Sequence, residues 1–256
     1  MIAAISPVSA GFNAGQGFAG PTCERLPGRV LWLAANRSPL TKTGTISQVS
    51  DLSGNGNNAT QATESLQPAY TASAINGLPG MTFDATDDVL ELSIPFNIDF
   101  FWTQTQKTMF VVLRTPASLP TNKVIFVGRD TGVGWYWGFN FGVNGILQFR
   151  YRTAGFGSAT PTTITPDVSS AYIIALRHDN STVKGYINSL TVRPEVDASD
   201  GIAEPDLGSR DATSPLMMGN GGILAEVIGQ SGSALSDAEF NRTMTCLAAK
   251  YGITLN

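Results

Sequence analysis

Short apolar runs separated by clusters of Gly, Pro, Asn and Asp extend along most of this chain, a spacing that predicts β-strands. Arg29 to Ala35 is a compact run of this kind. Lys107 to Arg114 is almost continuously apolar, and such a run predicts a strand that is buried on both faces. Ala171 to Arg177 and Val183 to Asn188 predict a hairpin, with His178 in its turn.

The aromatic centre of the chain alternates with the period of a strand. Four aromatic residues share one parity and are predicted to face one side: Trp135, Trp137, Phe139 and Phe141. A sandwich core is the favoured role for this face, and a sugar-stacking platform is the alternative. Tyr136 has the opposite parity and is the better candidate for an exposed aromatic side chain that contacts a ligand.

One segment near the C-terminus has helical periodicity. Ser236 and Glu239 have the spacing of a capping box, and Gly252 stands where the helix would stop. The apolar positions that recur at helical spacing are Phe240, Met244, Leu247, Ala248 and Tyr251. We expect this helix to cap an edge of the β-structure.

Several motifs follow one another in a recognisable order. They are Val30 to Leu33, Asp51 to Thr60, Ile75 to Pro79, Met81 to Asp88, Ile223 to Ile228, Leu235 to Glu239 and Ala248 to Gly252. In this order they resemble the concanavalin A-like lectin/glucanase superfamily, in its laminin-G-like branch. The resemblance spans nearly the whole chain. It implies an all-β fold, a two-sheet antiparallel jelly-roll sandwich with one C-terminal helix, formed by residues 28–256.

Composition narrows the classes of partner. The chain has 256 residues, a net charge of −4 and 14% charged residues, against a typical charged fraction of about 25%. A concentrated basic patch is absent from the sequence, which argues against nucleic-acid binding. No apolar stretch approaches the ~20 residues of a membrane span. The low charge is compatible with a polar, uncharged β-surface or with a surface covered by neighbouring subunits, so a homo-oligomer stays open.

Residues 1–27 are rich in Gly, Ala and Ser and have no periodic apolar face. This composition predicts an extended N-terminal arm that gains order against another protein. The segment Met1 to Pro7 lacks a basic residue, so it does not read as a signal peptide. Cys23 and Cys246 lie near opposite ends of the chain. Two unpaired thiols are the favoured interpretation, and a disulfide between them is the alternative.

Catalytic patterns are weak in this sequence. Glu195 to Asp200 resembles the E-x-D-x-x-E strand of glycoside hydrolases in the same superfamily, but the third acid is Asp and the flanking Pro194 and Gly201 predict a loop. His178 is the single histidine, nucleophile-elbow spacing is absent, and a zinc site is nearly excluded. We therefore expect no catalytic residues. The polar connection 194–214 is long enough to be a functional loop.

Two acidic turns are the candidate ligand-binding sites. The first contains Asp51 and Asn55, and the second contains Asp84, Asp87 and Asp88. Carboxylate and amide oxygens suit Ca²⁺, and the laminin-G-like resemblance implies Ca²⁺ on a loop rim. The favoured alternative is that these short side chains accept backbone N–H groups within their own turns.

Together these features predict a non-enzymatic structural or adhesive protein of a bacteriophage virion: a capsid-decoration, head-fibre or tail-associated protein. Its partners would be other virion proteins, reached through the arm, and a cell-surface glycan. The alternative is a secreted, extracellular bacterial carbohydrate-binding module. A glycoside hydrolase is the weakest of the three hypotheses.

Overall fold

The computed structural model describes residues 23, 26–37, 39–42, 44–84, 86–92, 106–120, 123–130, 134–141, 145–151, 165–179, 182–190, 195–197, 215–216 and 222–256. These residues form an antiparallel β-sandwich with a C-terminal helix, which confirms the predicted fold class. Within them, no helix is long and apolar enough to cross a membrane.

The strands are short, as the turn spacing predicts. They are β1 Arg29–Ala34, β2 Pro39–Lys42, β3 Thr45–Val49, β4 Ala59–Thr60, β5 Ala69–Ile75, β6 Leu78–Thr82, β7 Leu90–Leu92, β8 Gln106–Arg114, β9 Lys123–Asp130, β10 Gly134–Phe141, β11 Leu147–Tyr151, β12 Ala171–Asp179, β13 Thr182–Ile187, β14 Glu195–Asp197, β15 Pro215–Leu216 and β16 Ile223–Ser231. A 3-10 helix, Glu64–Leu66, precedes β5, and the α-helix α1 spans Asp237–Tyr251.

In the described part of the chain, the strands form a 13-stranded sheet and a three-stranded sheet. The larger sheet has the order β14-β13-β12-β8-β16-β6-β5-β3-β4-β7-β15, with β1 also paired to β16 and β2 to β3. The smaller sheet has the order β11-β10-β9. We call β12, β8, β16 and β1 the central strands, because both apolar clusters of the domain pack against them.

Strand β8 shows why the central strands are apolar on both faces. Met109 and Val111 belong to the cluster in the sandwich interior, together with the buried Phe139 from the smaller sheet. Phe110 and Val112 point the other way and belong to a second cluster, which includes the apolar side of α1. The predicted burial of both faces of this strand is therefore confirmed.

Helix α1 lies on the outer face of the central strands and not at an edge, so the expected edge position is wrong. The Phe240 ring centroid is 5.2 Å from that of Phe110 and 4.3 Å from that of Tyr186. The physical reason is that an apolar sheet face has to be covered, and the apolar stripe of α1 supplies the cover. The predicted capping box of Ser236 with Glu239 is present, and Gly252 ends the helix at φ 62°.

Cys23 and Cys246 form a disulfide, with their Cα atoms 5.4 Å apart. The favoured expectation of two unpaired thiols is therefore wrong. The cause is topological, since β1 pairs with β16 and the chain passes from β16 almost directly into α1. The segment before β1 consequently lies beside the helix, where Leu26 is buried in the same cluster as the helix face. The other residues before Leu26 lie outside the described residues.

Candidate functional site

The loop from Asp51 to Asn58 is closed by the side chain of its first residue. The Asp51 carboxylate accepts hydrogen bonds from the backbone N–H groups of Trp32, Ser53 and Asn57, each at 2.9 Å, and from Ser53 Oγ at 2.6 Å. In return, Asn58 Oδ1 accepts from the Asp51 N–H at 2.8 Å. Asp51 thus holds the loop shut and fixes it to β1, as the turn interpretation predicted.

The tip of this loop is exposed while its backbone is held. Asn55 Nδ2 donates to Ser53 Oγ at 2.9 Å and to the Arg29 carbonyl at 3.3 Å. Gly54 and Gly56 have φ of 92° and 76°, a region that favours glycine, although a Cβ at either would meet nothing within 4 Å. These glycines are required by backbone conformation and not by lack of space. Residues 54–56 therefore form a rigid, open tip that can contact a ligand.

The second acidic turn is organised around Asp84. Asp84 Oδ1 accepts from the backbone N–H groups of Thr86, Asp87 and Asp88 at 2.8, 3.2 and 3.4 Å. These bonds, that from Thr86 foremost, lower the pKa of the Asp84 carboxyl. Asp88 is only 7% exposed and accepts from the Asp84 N–H at 2.8 Å. Burial raises the pKa of the Asp88 carboxyl, so the two acids are shifted in opposite directions.

The carboxylate oxygens of Asp84, Asp87 and Asp88 lie within 4.8 Å of one another, close enough for one cation to touch all three. Ca²⁺ needs six to eight oxygen ligands, so other oxygens would have to complete such a site. Asp84 Oδ1 and Asp88 Oδ2 also accept backbone N–H groups, and these hydrogen bonds close the turn. The chemistry of the donor set fits Ca²⁺, and Ca²⁺ binding stays a prediction.

The two acidic turns are held by separate parts of the domain. The Asp51 loop binds β1, whereas the second turn leads into Val89, whose N–H donates to the Leu66 carbonyl at 2.9 Å. Among the hydrogen bonds between described residues, none joins the two turns. In the described part of the chain, the two acidic turns are therefore two candidate ligand sites and not one hydrogen-bonded site.

Of the aromatic candidates, Phe139 and Phe141 are buried in the sandwich interior, as predicted for a core face. The pairing of β10 with β9 shifts register between Trp135 and Trp137, whose side chains lie outside the described residues. The side chain of Tyr136 lies outside the described residues, and its role as an exposed ligand contact stays a prediction.

Glu195 to Asp197 forms the edge strand β14, so the expectation of a loop at these residues is wrong. Glu195 is opposite Lys184, and Asp197 is opposite Thr182. The strand forms because β13 leaves an unpaired edge, and charged residues are common on edges, where they discourage further pairing. Across the strand, the register partners are a cation and a hydroxyl, not a second acid. Asp200 and most of the 194–214 connection lie outside the described residues.

His178 is also misplaced by the sequence interpretation. It lies in β12, where its register partners are Lys107 and Val183, and it is 6% exposed. The surface-turn expectation is wrong because β12 continues to Asp179 before the chain turns. Burial, reinforced by the charge of Lys107, lowers the pKa of His178 to about 4.

Sequence reasoning missed a buried acid, Glu226, which is 1% exposed on the helix side of β16. Its Oε1 accepts from Trp32 Nε1 at 2.7 Å, and its Oε2 accepts from Lys250 Nζ at 2.8 Å and from Tyr251 Oη at 2.9 Å. We call this set the Glu226 network. The signal in the sequence is one acid inside the apolar run 223–228, since a charge in such a run needs buried partners.

No protein-family model matches this chain, and no curated protein matches its sequence. Solved structures resemble its fold. Domain 4 of AbnA, an extracellular GH43 arabinanase from Geobacillus stearothermophilus, in complex with arabinotriose, superposes with a TM-score of 0.59 at 15% identity, over 85% of this chain and 97% of that one.

Two further similarities involve parts of longer chains. Trypanosoma rangeli sialidase in complex with the inhibitor DANA superposes with a TM-score of 0.57 at 10% identity, over 86% of this chain and 33% of that one. The binding domain of botulinum neurotoxin serotype D superposes with a TM-score of 0.56 at 12% identity, over 85% of this chain and 50% of that one. This chain thus spans a third of the sialidase and half of the toxin domain. At such identities the likeness concerns the β-sandwich fold.

Proposed function

We propose that this chain is a non-enzymatic adhesive domain that binds a polysaccharide outside the cytoplasm. The observation that carries the proposal is the use of the candidate carboxylates. Both oxygens of Asp51 accept backbone N–H groups of its own loop, and Asp84 Oδ1 accepts those of its own turn. The loop tip at 54–56 is rigid and exposed. A rigid exposed loop on a sandwich is a common position for recognition.

The same hydrogen bonds argue against hydrolysis. A glycosidase needs one carboxyl that carries a proton and a second that attacks or activates water. Asp84, whose pKa is lowered by backbone N–H donors, is a poor proton donor. Asp88, whose pKa is raised by burial, is only 7% exposed, and its Oδ2 accepts from the Asp84 N–H. Glu195 has Lys184, and not a second acid, as its register partner on the neighbouring strand.

The comparisons support a binding role through their bound ligand. The arabinanase domain is in complex with arabinotriose, and nearly all of that domain corresponds to this chain. The order of motifs that resembles the concanavalin A-like, laminin-G-like branch supports the same assignment. Because of the bound arabinotriose and the resemblance, we propose a polysaccharide as the ligand of this chain.

The disulfide supports a location in an oxidising environment, because disulfides persist in secreted proteins and on virion surfaces and are rare in the cytosol.

Within this location, a bacteriophage virion is the finer proposal, and a secreted carbohydrate-binding module is the alternative. The predicted N-terminal arm, residues 1–27, favours the virion, since such an arm can dock on a neighbouring protein. Sedimentation of the chain with phage particles would support the virion, and recovery only as a free protein would contradict it.

The binding proposal is tested on an immobilised-polysaccharide array with the full chain. Asn55→Ala, at the rigid tip, is expected to lower the affinity at least tenfold. Ser65→Ala, at an exposed polar position on the 3-10 helix, is the matched control and is expected to bind like wild type. Binding to no polysaccharide would overturn the proposal. Release of reducing sugar that Glu195→Gln abolishes would replace it with hydrolysis.

A deletion of residues 197–210 separates adhesion from scaffolding. If this polar segment contacts the receptor, the deletion is expected to weaken attachment while the thermal transition stays nearly unchanged. If the protein is architectural, the deletion is expected to disturb particle assembly instead. Unchanged attachment together with unchanged assembly would exclude both roles for this segment.

A further inference from the structure

A row of polar residues crosses three central strands at one end of the sandwich. Ser231 of β16 and His178 of β12 are the register partners of Lys107 of β8, one on each side. The three residues are 7%, 6% and 6% exposed. We call Ser231, Lys107 and His178 the interior row.

Strand alternation places the interior row on the inner face of the sandwich. Lys107 has the parity of Met109 and Val111, and His178 has the parity of Leu176, all of which belong to the interior apolar cluster. Ser231 has the parity of Val227 in the same cluster. The row therefore continues the sandwich interior beyond its apolar part and replaces apolar side chains with three groups that can donate hydrogen bonds.

Two members of the row have unused polar atoms. Among the described residues, Ser231 Oγ and His178 Nε2 are buried and find no hydrogen-bond partner. Buried polar groups in folded proteins are nearly always paired, because an unpaired group loses its water and gains nothing in return. Two such atoms in one row, on either side of a buried amine, indicate that a polar group normally occupies this position.

We propose that the interior row binds a small carboxylate. A carboxylate only accepts hydrogen bonds, and the Ser231 hydroxyl, the His178 Nε2–H tautomer and the Lys107 ammonium group can all donate to it. Neighbouring strands are about 4.8 Å apart, so a carboxylate over the central strand reaches Lys107 and one flanking residue together. The proposal for the interior row does not depend on polysaccharide binding at the loop tip.

Charge favours a carboxylate over water. Burial lowers the pKa of Lys107 to about 7, since the ammonium form loses its hydration. The negative charge of a bound carboxylate would stabilise the protonated form of the Lys107 amine, whereas a neutral water molecule would not. The carboxylate could belong to a free small acid or to an acidic sugar, and both present the same two oxygens.

The experiment is a titration of the ¹⁵N-labelled full chain, followed by the backbone amide shifts of residues 107, 178 and 231. Acetate is expected to produce saturable shifts at these amides, and acetamide, its neutral counterpart of the same shape, is expected to produce none. Glucuronate against glucose tests the acidic-sugar source in the same way. Shifts with acetate alone indicate a free small acid, and shifts with glucuronate indicate an acidic sugar.

Three variants locate the site. Lys107→Met is expected to abolish the acetate shifts, and Ser231→Ala is expected to weaken binding several-fold. Lys184→Met is the control, because Lys184 has the parity of Tyr186 in the helix-side cluster and so lies on the opposite face of the sheet. Equal shifts with acetamide, shifts that do not saturate, or shifts that survive Lys107→Met would overturn the proposal. The interior row would then be a hydrated polar position and not a carboxylate site.

If Lys107→Met does not fold, the Lys107 amine is followed directly in selectively labelled wild-type protein. Bound acetate is expected to move its titration midpoint to higher pH, because the carboxylate favours the protonated amine. A midpoint that is the same in acetate and in acetamide would overturn the proposal.

Discussion

Single buried side chains hold this domain together over long stretches of sequence. Glu226 accepts hydrogen bonds from Trp32, 194 positions away, and from Tyr251 on the helix. Burial and the neighbouring Glu226 charge raise the pKa of Tyr251, so its hydroxyl remains a donor. Asp51 plays a comparable part at the surface, where its carboxylate binds the Trp32 backbone. Removing one such acceptor leaves several donors without a partner.

We expect Glu226→Ala to lower the free energy of unfolding by about 3–5 kcal/mol, because it leaves Trp32 Nε1 and Tyr251 Oη buried without their acceptor. Urea denaturation measures the change. Glu64→Ala, on the exposed 3-10 helix, is the control and is expected to stay within about 0.5 kcal/mol of wild type. A loss below about 1 kcal/mol for Glu226→Ala would mean that the network adds little stability.

His178 predicts a dependence of stability on pH. Its pKa is about 4 in the folded chain against an ordinary value of 6.5. Between these pH values the unfolded chain binds more protons than the folded one, so stability falls as the pH drops from 6.5 to 4. The full effect of this histidine is about 3 kcal/mol.

Urea denaturation of wild type and of His178→Gln, at about pH 7 and about pH 4.5, isolates this contribution. The carboxylates contribute equally to both proteins, so we expect a smaller loss of stability on acidification in His178→Gln. Equal losses in the two proteins would show that His178 is not buried in its neutral form.

At the scale of elements, α1 buries the outer face of the central strands. It covers Phe110 and Val112, which would otherwise face water on the outer side of β8. The start of α1 is fixed by reciprocal bonds, since the Ser236 hydroxyl accepts from the Glu239 N–H and the Glu239 carboxylate accepts from the Ser236 N–H at 2.9 Å. A weaker helix start therefore weakens the cover of the sheet.

We expect Ser236→Ala to lower the free energy of unfolding by about 1 kcal/mol, the usual cost of losing an N-cap. Thr245→Ala, at an exposed position in the middle of the same helix, is the control, and it is expected to be neutral or slightly stabilising. Thermal and urea unfolding measure both variants. An unchanged Ser236→Ala protein would indicate that packing alone fixes the helix start.

At the scale of the whole molecule, the disulfide ties the segment before β1 to the last helix. It joins residues with a sequence separation of 223, so it closes nearly the whole chain into a loop. Residues from both ends already lie together, because the Ser231 N–H donates to the Gly28 carbonyl at 3.0 Å and Leu26 packs under the helix. The covalent link restricts the unfolded chain more than it changes the folded one.

We expect the double variant Cys23→Ser with Cys246→Ser to lose about 2–5 kcal/mol of unfolding free energy. Either single variant is expected to lose a similar amount. Chemical denaturation with and without reductant measures the loss, and reductant should affect wild type only. A wild-type protein whose stability does not respond to reductant would contradict the role of this disulfide.

Limited proteolysis tests the predicted N-terminal arm. From composition, we expect a protease to remove residues before Cys23 from the isolated chain and to leave the sandwich intact. Mass spectrometry of the product under non-reducing conditions gives the boundary. A full-length product that persists under conditions that cleave unfolded chains would contradict the arm.

The resemblance of the motif order to a known superfamily implied the fold class, and the spacing of strands and turns supported it. Local patterns were enough for the double burial of β8, for the capped C-terminal helix and for the closed turn at Asp51. Each depends on residues a few positions apart, where strand alternation, capping and turn chemistry act. Of the candidate site, the sequence located both acidic turns and their internal hydrogen bonding. The ligand roles of Asn55 and Asp87 stay predictions, because a ligand contact leaves no local pattern.

Tertiary structure alone decided which distant segments meet. It paired Cys23 with Cys246, buried His178 beside Lys107, set Glu226 under Trp32 and Tyr251, and moved α1 from an edge to a sheet face. None of these follows from spacing, because each depends on the order of strands in the sheet. A polar residue in a strand looks the same in sequence whether the next strand or the solvent faces it, and only the neighbour determines its burial and its pKa.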